Sequence, residues 1–361
     1  MDGRLADRGR KGRGTSRQPA HRFTSERREA FDDGWATLEE EAARPPSRTE
    51  IRDDSARRAL SYNASPDVPF DRAVNPYRGC EHGCIYCYAR PSHGTFGLSP
   101  GLDFETKLFA KRNVVALLRR ELAHPAYVPE PIYLSGVTDA YQPLERIERL
   151  TRGVLELLLA ARHPVGIVTK AKLICRDLDL LVPLAAADLV QVFVSVTTLD
   201  PALARRLEPR TAMPKARLET IARLADAGVP VGILQAPIIP GLNDHETEAI
   251  LSAGAAAGAR SAHFTLLRLP HELKELWDDW LDEHAPAKKA RVLALQRRAR
   301  GGRLNDPRFG SRMVGEGVYA DMLHQRFALA RRRLGLDRPR RELRTDLFVR
   351  PDGDELQPRL L

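Results

Sequence analysis

The residues best equipped for chemistry lie in one short loop, Asn75-Pro76-Tyr77-Arg78-Gly79-Cys80-Glu81-His82-Gly83-Cys84-Ile85-Tyr86-Cys87-Tyr88. Three of the four cysteines fall within eight residues, spaced C-x-x-x-C-x-x-C. A disulfide framework would be spread through a small secreted chain, so clustered thiols point to metal. Structural zinc takes four tetrahedral ligands and would need a fourth donor here, from His82 or His93. Iron–sulfur clusters take Cys thiolates, and a cubane with three protein ligands keeps one iron open as a reactive site. The aromatic Tyr86, just before the third cysteine, favours iron–sulfur. Cys175 stands alone, and a lone cysteine is more often a small buried hydrophobe.

This loop resembles the signature of the radical S-adenosylmethionine (SAM) superfamily. The resemblance runs over roughly residues 60–335 and is to bacterial radical SAM proteins grouped with spore photoproduct lyase as "DNA repair photolyase-like". It is carried by NPYRGCEHGCIYCYARPSHG, LDFETK, TDAYQPLE, RDLDLL, LEPR and APIIPGLND. It implies that Cys80, Cys84 and Cys87 hold a 4Fe–4S cluster whose open iron is chelated by the amino and carboxylate groups of SAM. Reductive cleavage of SAM then gives methionine and a 5′-deoxyadenosyl radical, which abstracts hydrogen from a substrate. The hard chemistry belongs to the cofactor, and the protein positions and shields it. The resemblance places Tyr86 beside the adenine. It also raises Cys175 as a hydrogen donor, a role a cysteine plays in spore photoproduct lyase, although that cysteine lies earlier relative to the cluster motif.

The remaining candidates sit where apolar runs end. Ser135-Gly136-Val137-Thr138-Asp139 takes the place of the family's Gly-Gly-Glu-like motif for the SAM ammonium. Gly136 allows close backbone approach, while Thr138 and Asp139 supply acceptors. A strand-end turn capped by Asp139 is the alternative. Lys170 is placed to meet the SAM carboxylate or a substrate phosphate, or to stand solvated at a helix start. Ser195 and Thr197 offer hydroxyls for the SAM ribose or carboxylate. Arg217, near Glu208-Pro209-Arg210, offers a bidentate donor for the methionine carboxylate, against the alternative of a surface arginine. Pro240, in the stiff Pro237–Pro240 loop, is expected to pack near the adenine, with Asn243 or Asp244 capping the next helix.

These positions need a scaffold that collects strand ends. Apolar runs at Ile132–Ser135, Val165–Thr169, Leu189–Val196, Val231–Ala236 and His263–Arg268 are largely continuous, as expected of parallel strands buried on both faces. Amphipathic stretches at Thr151–Ala161, Pro214–Ala227 and Glu246–Ala257 alternate with them. The pattern predicts an α/β fold, a partial open βα barrel of about six units, whose active site lies at the C-terminal strand ends. Residues 61–271 form this barrel, and 272–361 a helical, Arg-rich extension. Residues 1–60 read as a flexible basic arm. Its first 30 residues carry nine Lys/Arg against four Asp/Glu, with few apolar side chains to offset ordering entropy. A short helix is expected around Arg27–Ala43.

The net charge of +9 and pI near 9.6 suit a polyanionic partner such as nucleic acid, as do Arg-rich runs at 297–303, 331–333 and 340–341. No apolar run reaches the ~20 residues that span a membrane, and no secretory signal is seen, so a cytoplasmic location is expected. The expected partner for reduction is an electron donor such as flavodoxin or ferredoxin. Nucleic-acid repair or modification leads the substrate classes, ahead of radical modification of a protein or small molecule. A non-catalytic zinc- or nucleic-acid-binding module is the rival class.

Overall fold

The computed structural model describes residues 12–23, 49–338 and 342–352. Its centre is a seven-stranded sheet in the order β10-β9-β8-β7-β6-β3-β2. The strands are β2 Leu60–Tyr62, β3 Arg72–Val74, β6 Ile132–Leu134, β7 Val165–Thr169, β8 Val190–Ser195, β9 Val231–Ile238 and β10 Ala262–Leu266. From β3 to β10 every neighbouring pair is parallel, and β2 adds an antiparallel edge. Six parallel strands with helical crossovers match the expected open barrel of about six units. A second, three-stranded sheet joins β1 Glu50–Asp53, β5 Lys107–Ala110 and β4 Tyr77–Arg78.

Side-chain alternation sorts the two faces of the parallel strands. Val190, Val192, Val194 and Val196 belong to the main apolar core, as do Ile132, Val165 and Ile167. Residues of helices Leu150–Ala160, Pro214–Asp226 and Thr247–Ala256 join them there. Each fully buried branched side chain contributes about 1.5–3 kcal/mol, and this layer fixes the strand register. On the other face, Gly166 makes room for the Tyr133 ring, whose Cζ lies 2.4 Å from where a Cβ would stand.

The ends of the sheet, β2 and β10, do not pair with each other. The 301–316 loop of the C-terminal extension bridges this seam. Leu266 N donates to Met313 O at 2.8 Å on the β10 side. On the other side, Gly310 N donates to Asp67 Oδ1 at 2.6 Å and Arg312 Nη2 to Ser65 Oγ at 2.5 Å, with Arg312 also bonded to Asp67. Helices Leu273–His284, Pro286–Arg298 and Val318–Arg333 complete the expected helical extension.

The described part of the N-terminal arm departs from expectation. Residues 12–23 form a strap on the core. Gly14 N donates to Glu105 Oε2 at 2.9 Å, and Leu102 N to Arg17 O at 2.9 Å. Gln18 Nε2 donates to Asp103 Oδ1 at 2.8 Å. Beyond the strap, β1 pairs with β5. The composition argument counted apolar side chains, whereas backbone and charged hydrogen bonds hold this segment. The helix expected at Arg27–Ala43 lies outside the described residues.

Candidate functional site

The cysteine loop follows β4 and is shaped by two glycines with left-handed backbone, Gly79 at φ 73° and Gly83 at φ 67°. Both are also crowded. A Cβ on Gly79 would lie 2.9 Å from Phe104 O, and one on Gly83 2.7 Å from Glu105 Oε2, so strain and clash both select glycine. Cys80 N donates to Phe104 O at 2.9 Å, and Ile85 N to Leu207 O at 3.0 Å. Cys80 and Cys84 are buried, and Cys87 is half-buried. Burial first, and then Asp139 and Cys84, push the Cys80 thiol pKa up. Burial and Glu208 do the same at Cys84.

A fully buried arginine, Arg90, holds the loop from behind. Its Nε donates to Cys84 O at 2.9 Å, Nη1 to Gly101 O at 2.9 Å, and Nη2 to Gly83 O at 3.1 Å and Glu105 Oε1 at 2.5 Å. Glu105 accepts the strap's Gly14 N–H as well. On the opposite flank, the fully buried Gln142 accepts from Glu81 N at 2.9 Å and donates to Gly79 O at 3.2 Å. Arg90, Glu105 and Gln142 lie in the ARPSHG, LDFETK and TDAYQPLE stretches, yet nothing in their sequence setting assigns them a task. These motifs are mixed in polarity throughout, so no local signal in the sequence distinguishes the three residues.

Neither histidine weighed as a zinc ligand completes a tetrahedral set. His82 Nδ1 lies 3.4 Å from Asp139 Oδ2. His93 Nε2 is hydrogen-bonded to Lys107 O at 2.9 Å, and burial pushes its pKa down to about 4. Among the described residues no three His, Cys, Asp or Glu side chains converge on one ion.

Asp139 turns out to be a strut. It accepts from Thr169 Oγ1 at 2.7 Å, Lys170 N at 2.8 Å and Tyr141 N at 2.9 Å, joining the end of β6 to the end of β7. Burial raises its pKa, but His82 and these donors outweigh it and hold the pKa at about 2. The capping alternative thus describes its present bonds. Asp139→Ala should lower the unfolding free energy by about 1.5–3 kcal/mol, since donors lose a charged acceptor. A denaturant midpoint unchanged from wild type would refute this. Its neighbours Ser135 and Thr138 have buried hydroxyls with no partner. A Cβ at Gly136 would stand in ordinary contact with Ala73 and Asn75, 3.7–3.9 Å away, so the position is packed and a larger residue would fit without clash.

Lys170, Ser195, Thr197, Tyr86 and Arg217 do come together, around a residue not singled out from the sequence, Glu208. Lys170 Nζ donates to Ser195 Oγ at 2.5 Å and Ala236 O at 3.1 Å, and lies 3.4 Å from Glu208 Oε1. Burial, then Arg217, lowers its pKa to about 8; a solvated lysine is ruled out. Glu208 accepts from Thr197 Oγ1 at 2.6 Å, from the Tyr86 phenol and from Arg217 Nη2. Arg217 is 1% exposed, and it also donates to Ala212 O at 2.7 Å and Ser195 O at 3.1 Å. It is neither a surface arginine nor free for a carboxylate. Pro240 is buried in its loop. Asn243 and Asp244 do not cap the next helix. Asn243 Oδ1 accepts from Ile239 N at 2.6 Å and its Nδ2 donates to Thr197 O at 2.7 Å, while Asp244 Oδ1 accepts from Gly241 N at 3.0 Å. Closing their own turn outcompetes the helix end. Cys175 lies in the main apolar core, apart from the two apolar clusters that enclose the cysteine loop, which fits a small buried hydrophobe.

Fold and site together define a partial α/β barrel with a three-thiol loop at its mouth. A model of the radical SAM superfamily matches residues 74–253. An uncharacterized protein of Mycobacterium tuberculosis (strain ATCC 25618 / H37Rv) is 38% identical over 233 residues, covering 64% of this chain and 68% of its own length. One of Methanocaldococcus jannaschii is 27% identical over 205 residues, covering 55% and 72%. Among solved structures, spore photoproduct lyase complexed with dinucleoside spore photoproduct superposes with TM-score 0.54 at 16% identity, covering 77% of this chain and 78% of that one. A variant of that lyase with bound AdoMet and dinucleoside spore photoproduct gives TM-score 0.52 at 15% identity, covering 79% and 77%; at such identity both likenesses speak to fold. The chain belongs to the radical SAM superfamily. Membership indicates an enzyme that uses SAM and an iron–sulfur cluster. No helix of the described residues is long and apolar enough to cross a membrane.

Proposed function

We propose that this protein is a radical SAM enzyme in which Cys80, Cys84 and Cys87 hold a 4Fe–4S cluster, and whose substrate is nucleic acid undergoing repair or modification. The carrying observation is the three-thiol loop, anchored at the barrel mouth beside unpartnered hydroxyls on Ser135 and Thr138. The residues present fit the cofactors. Thiolates supply three of four cluster ligands, the free hydroxyls of Ser135 and Thr138 suit a polar ligand, and Lys170 is the cation for a carboxylate. When bound, SAM supplies a 5′-deoxyadenosyl radical upon one-electron reduction, for which a flavodoxin or ferredoxin is the donor.

The chain's own part is to bind and orient. Lys170, held by Ser195 and Glu208, presents its ammonium with little rotamer freedom left to lose. Glu208 fixes Tyr86 and Thr197 through the same carboxylate. Arg217 completes the network from behind, supporting the site without reaching the ligand. Nucleic acid as substrate is supported by the net charge of +9 and by exposed Arg297, Arg298, Arg303, Arg332 and Arg333. Arg300, in the same run, is buried against backbone carbonyls and does not join them.

The test is anaerobic reconstitution with iron, sulfide, reductant and SAM, followed by mass analysis of 5′-deoxyadenosine with candidate substrates varied. A brown chromophore and substrate-stimulated 5′-deoxyadenosine are expected. Colourless protein holding zinc would overturn the reading. Stimulation by a peptide or metabolite and not by nucleic acid would replace the substrate class.

A further inference from the structure

The seam between β10 and the β2–β3 turn gathers three guanidinium groups, on Arg268, Arg300 and Arg312. Two of them are already used. Arg300 donates to Leu266 O at 3.2 Å, Leu267 O at 2.6 Å and Arg312 O at 3.1 Å. Arg312 is bonded to Asp67 and Ser65. Arg268 differs. Its Nη1 meets the Met313 sulfur at 3.5 Å, a weak acceptor. Its Nε is buried with no partner. Burial, followed by Arg312, lowers its pKa. Buried charges in proteins are normally paired or hold a ligand, because an unpaired one forfeits its hydration.

The position of Arg268 gives that charge a purpose. Its Cζ lies 5.4 Å over the ring of Tyr88, the residue after Cys87. Tyr88 is half exposed, and its phenol donates to Gly136 O at the end of β6. An anion on Arg268 therefore sits at the open side of the barrel, against the rim of the cysteine loop. A guanidinium fork matches two oxygens of a tetrahedral anion. The neighbouring arginines add positive potential, offset by Asp67, which is bonded to Arg312, and by Asp306, which acts on Arg300.

We propose that Arg268 is the phosphate subsite for the substrate, gripping a nucleic-acid phosphodiester at the seam so that the adjoining nucleotide enters the barrel past Tyr88. This rests on the nucleic-acid reading above. A duplex must extrude its target nucleotide to enter, at a cost of a few kcal/mol, so single-stranded oligonucleotide should bind better than intact duplex.

The experiment is a fluorescence anisotropy titration of labelled single-stranded oligonucleotide across ionic strength, with reconstituted full-length protein, Arg268→Gln and Arg268→Lys. Arg268→Gln should weaken binding about ten- to hundredfold and reduce the slope of log K against log salt by about one, the signature of one lost phosphate contact. Arg268→Lys should keep the slope while losing part of the affinity, because a point charge replaces a fork. Wild-type iron content and melting midpoint establish that each variant is folded; if Arg268→Gln is not, the affinity loss at unchanged slope in Arg268→Lys decides. Equal affinity and slope in Arg268→Gln would overturn the subsite and leave the nucleic-acid reading standing. If wild type binds no oligonucleotide, that reading falls, and calorimetry with a nucleoside monophosphate decides the subsite. Binding by wild type that is lost in Arg268→Gln sustains it with a mononucleotide as ligand, and no binding by wild type overturns it.

Discussion

Cys84→Ala should abolish the iron–sulfur chromophore and bring 5′-deoxyadenosine formation below detection, while the protein stays folded. The two outcomes separate because the residue has two environments. As a side chain it packs with Ile85, Leu203 and Leu207, and trimming one buried heavy atom there costs roughly 1 kcal/mol. As the proposed ligand it would supply one of three thiolates, and no cysteine beyond Cys80, Cys84 and Cys87 lies in the clusters around the loop. Burial and Glu208 hold this thiol's pKa up, so metal must displace its proton. Cluster loading in the wild type should therefore become more favourable as pH rises, because less proton competes for the sulfur. Iron and sulfide analysis, visible absorbance and an anaerobic urea titration test the set. Full iron content with normal SAM cleavage in Cys84→Ala would falsify the ligand assignment.

Arg90→Met should lower the unfolding free energy by about 3–5 kcal/mol, the range for breaking a buried ion pair from one side, and should prevent stable cluster assembly. Four backbone carbonyls, of Gly83, Cys84, Pro100 and Gly101, lose their donor together. Glu105 keeps the strap's Gly14 N–H but loses its counter-charge. Burial already raises the Glu105 pKa against the pull of Arg90, so the carboxyl takes up a proton when the guanidinium goes. Arg90→Lys should rescue little, since an ammonium cannot reach acceptors arranged around a planar fork. The double variant Arg90→Met with Glu105→Met should recover part of the stability and none of the cluster, because it removes the stranded polar carboxyl but leaves the carbonyls bare. Anaerobic urea unfolding with iron content is the measurement. A loss under about 1 kcal/mol, within the range of a single ordinary hydrogen bond, would show that the loop holds its shape without Arg90.

The chemistry of the cysteine loop and the alternation of apolar runs with amphipathic helices are local properties. Three thiols within eight residues share one loop whatever the rest of the chain does. A continuous apolar strand is buried on both faces wherever it lies, so the six-unit open barrel and its site at the strand ends could be read from residues 75–88 and from the strand runs themselves. The tasks of the polar groups could not. Arg217 and Asp139 have the right chemistry for a SAM carboxylate and ammonium, and tertiary structure gives them to Glu208 and to Thr169, Lys170 and Tyr141 instead. The strap shows the same limit. Gly14 and Glu105 are 91 residues apart, and nothing in a basic, apolar-poor segment signals a hydrogen bond at that separation. Periodicity and spacing report what a residue can do. Whether its donors and acceptors are already satisfied depends on which distant segments fold against it, and that is why Arg268, uninformative in sequence, emerges only when its neighbours at the seam are seen to be paired with oxygen acceptors and its own Nε is not.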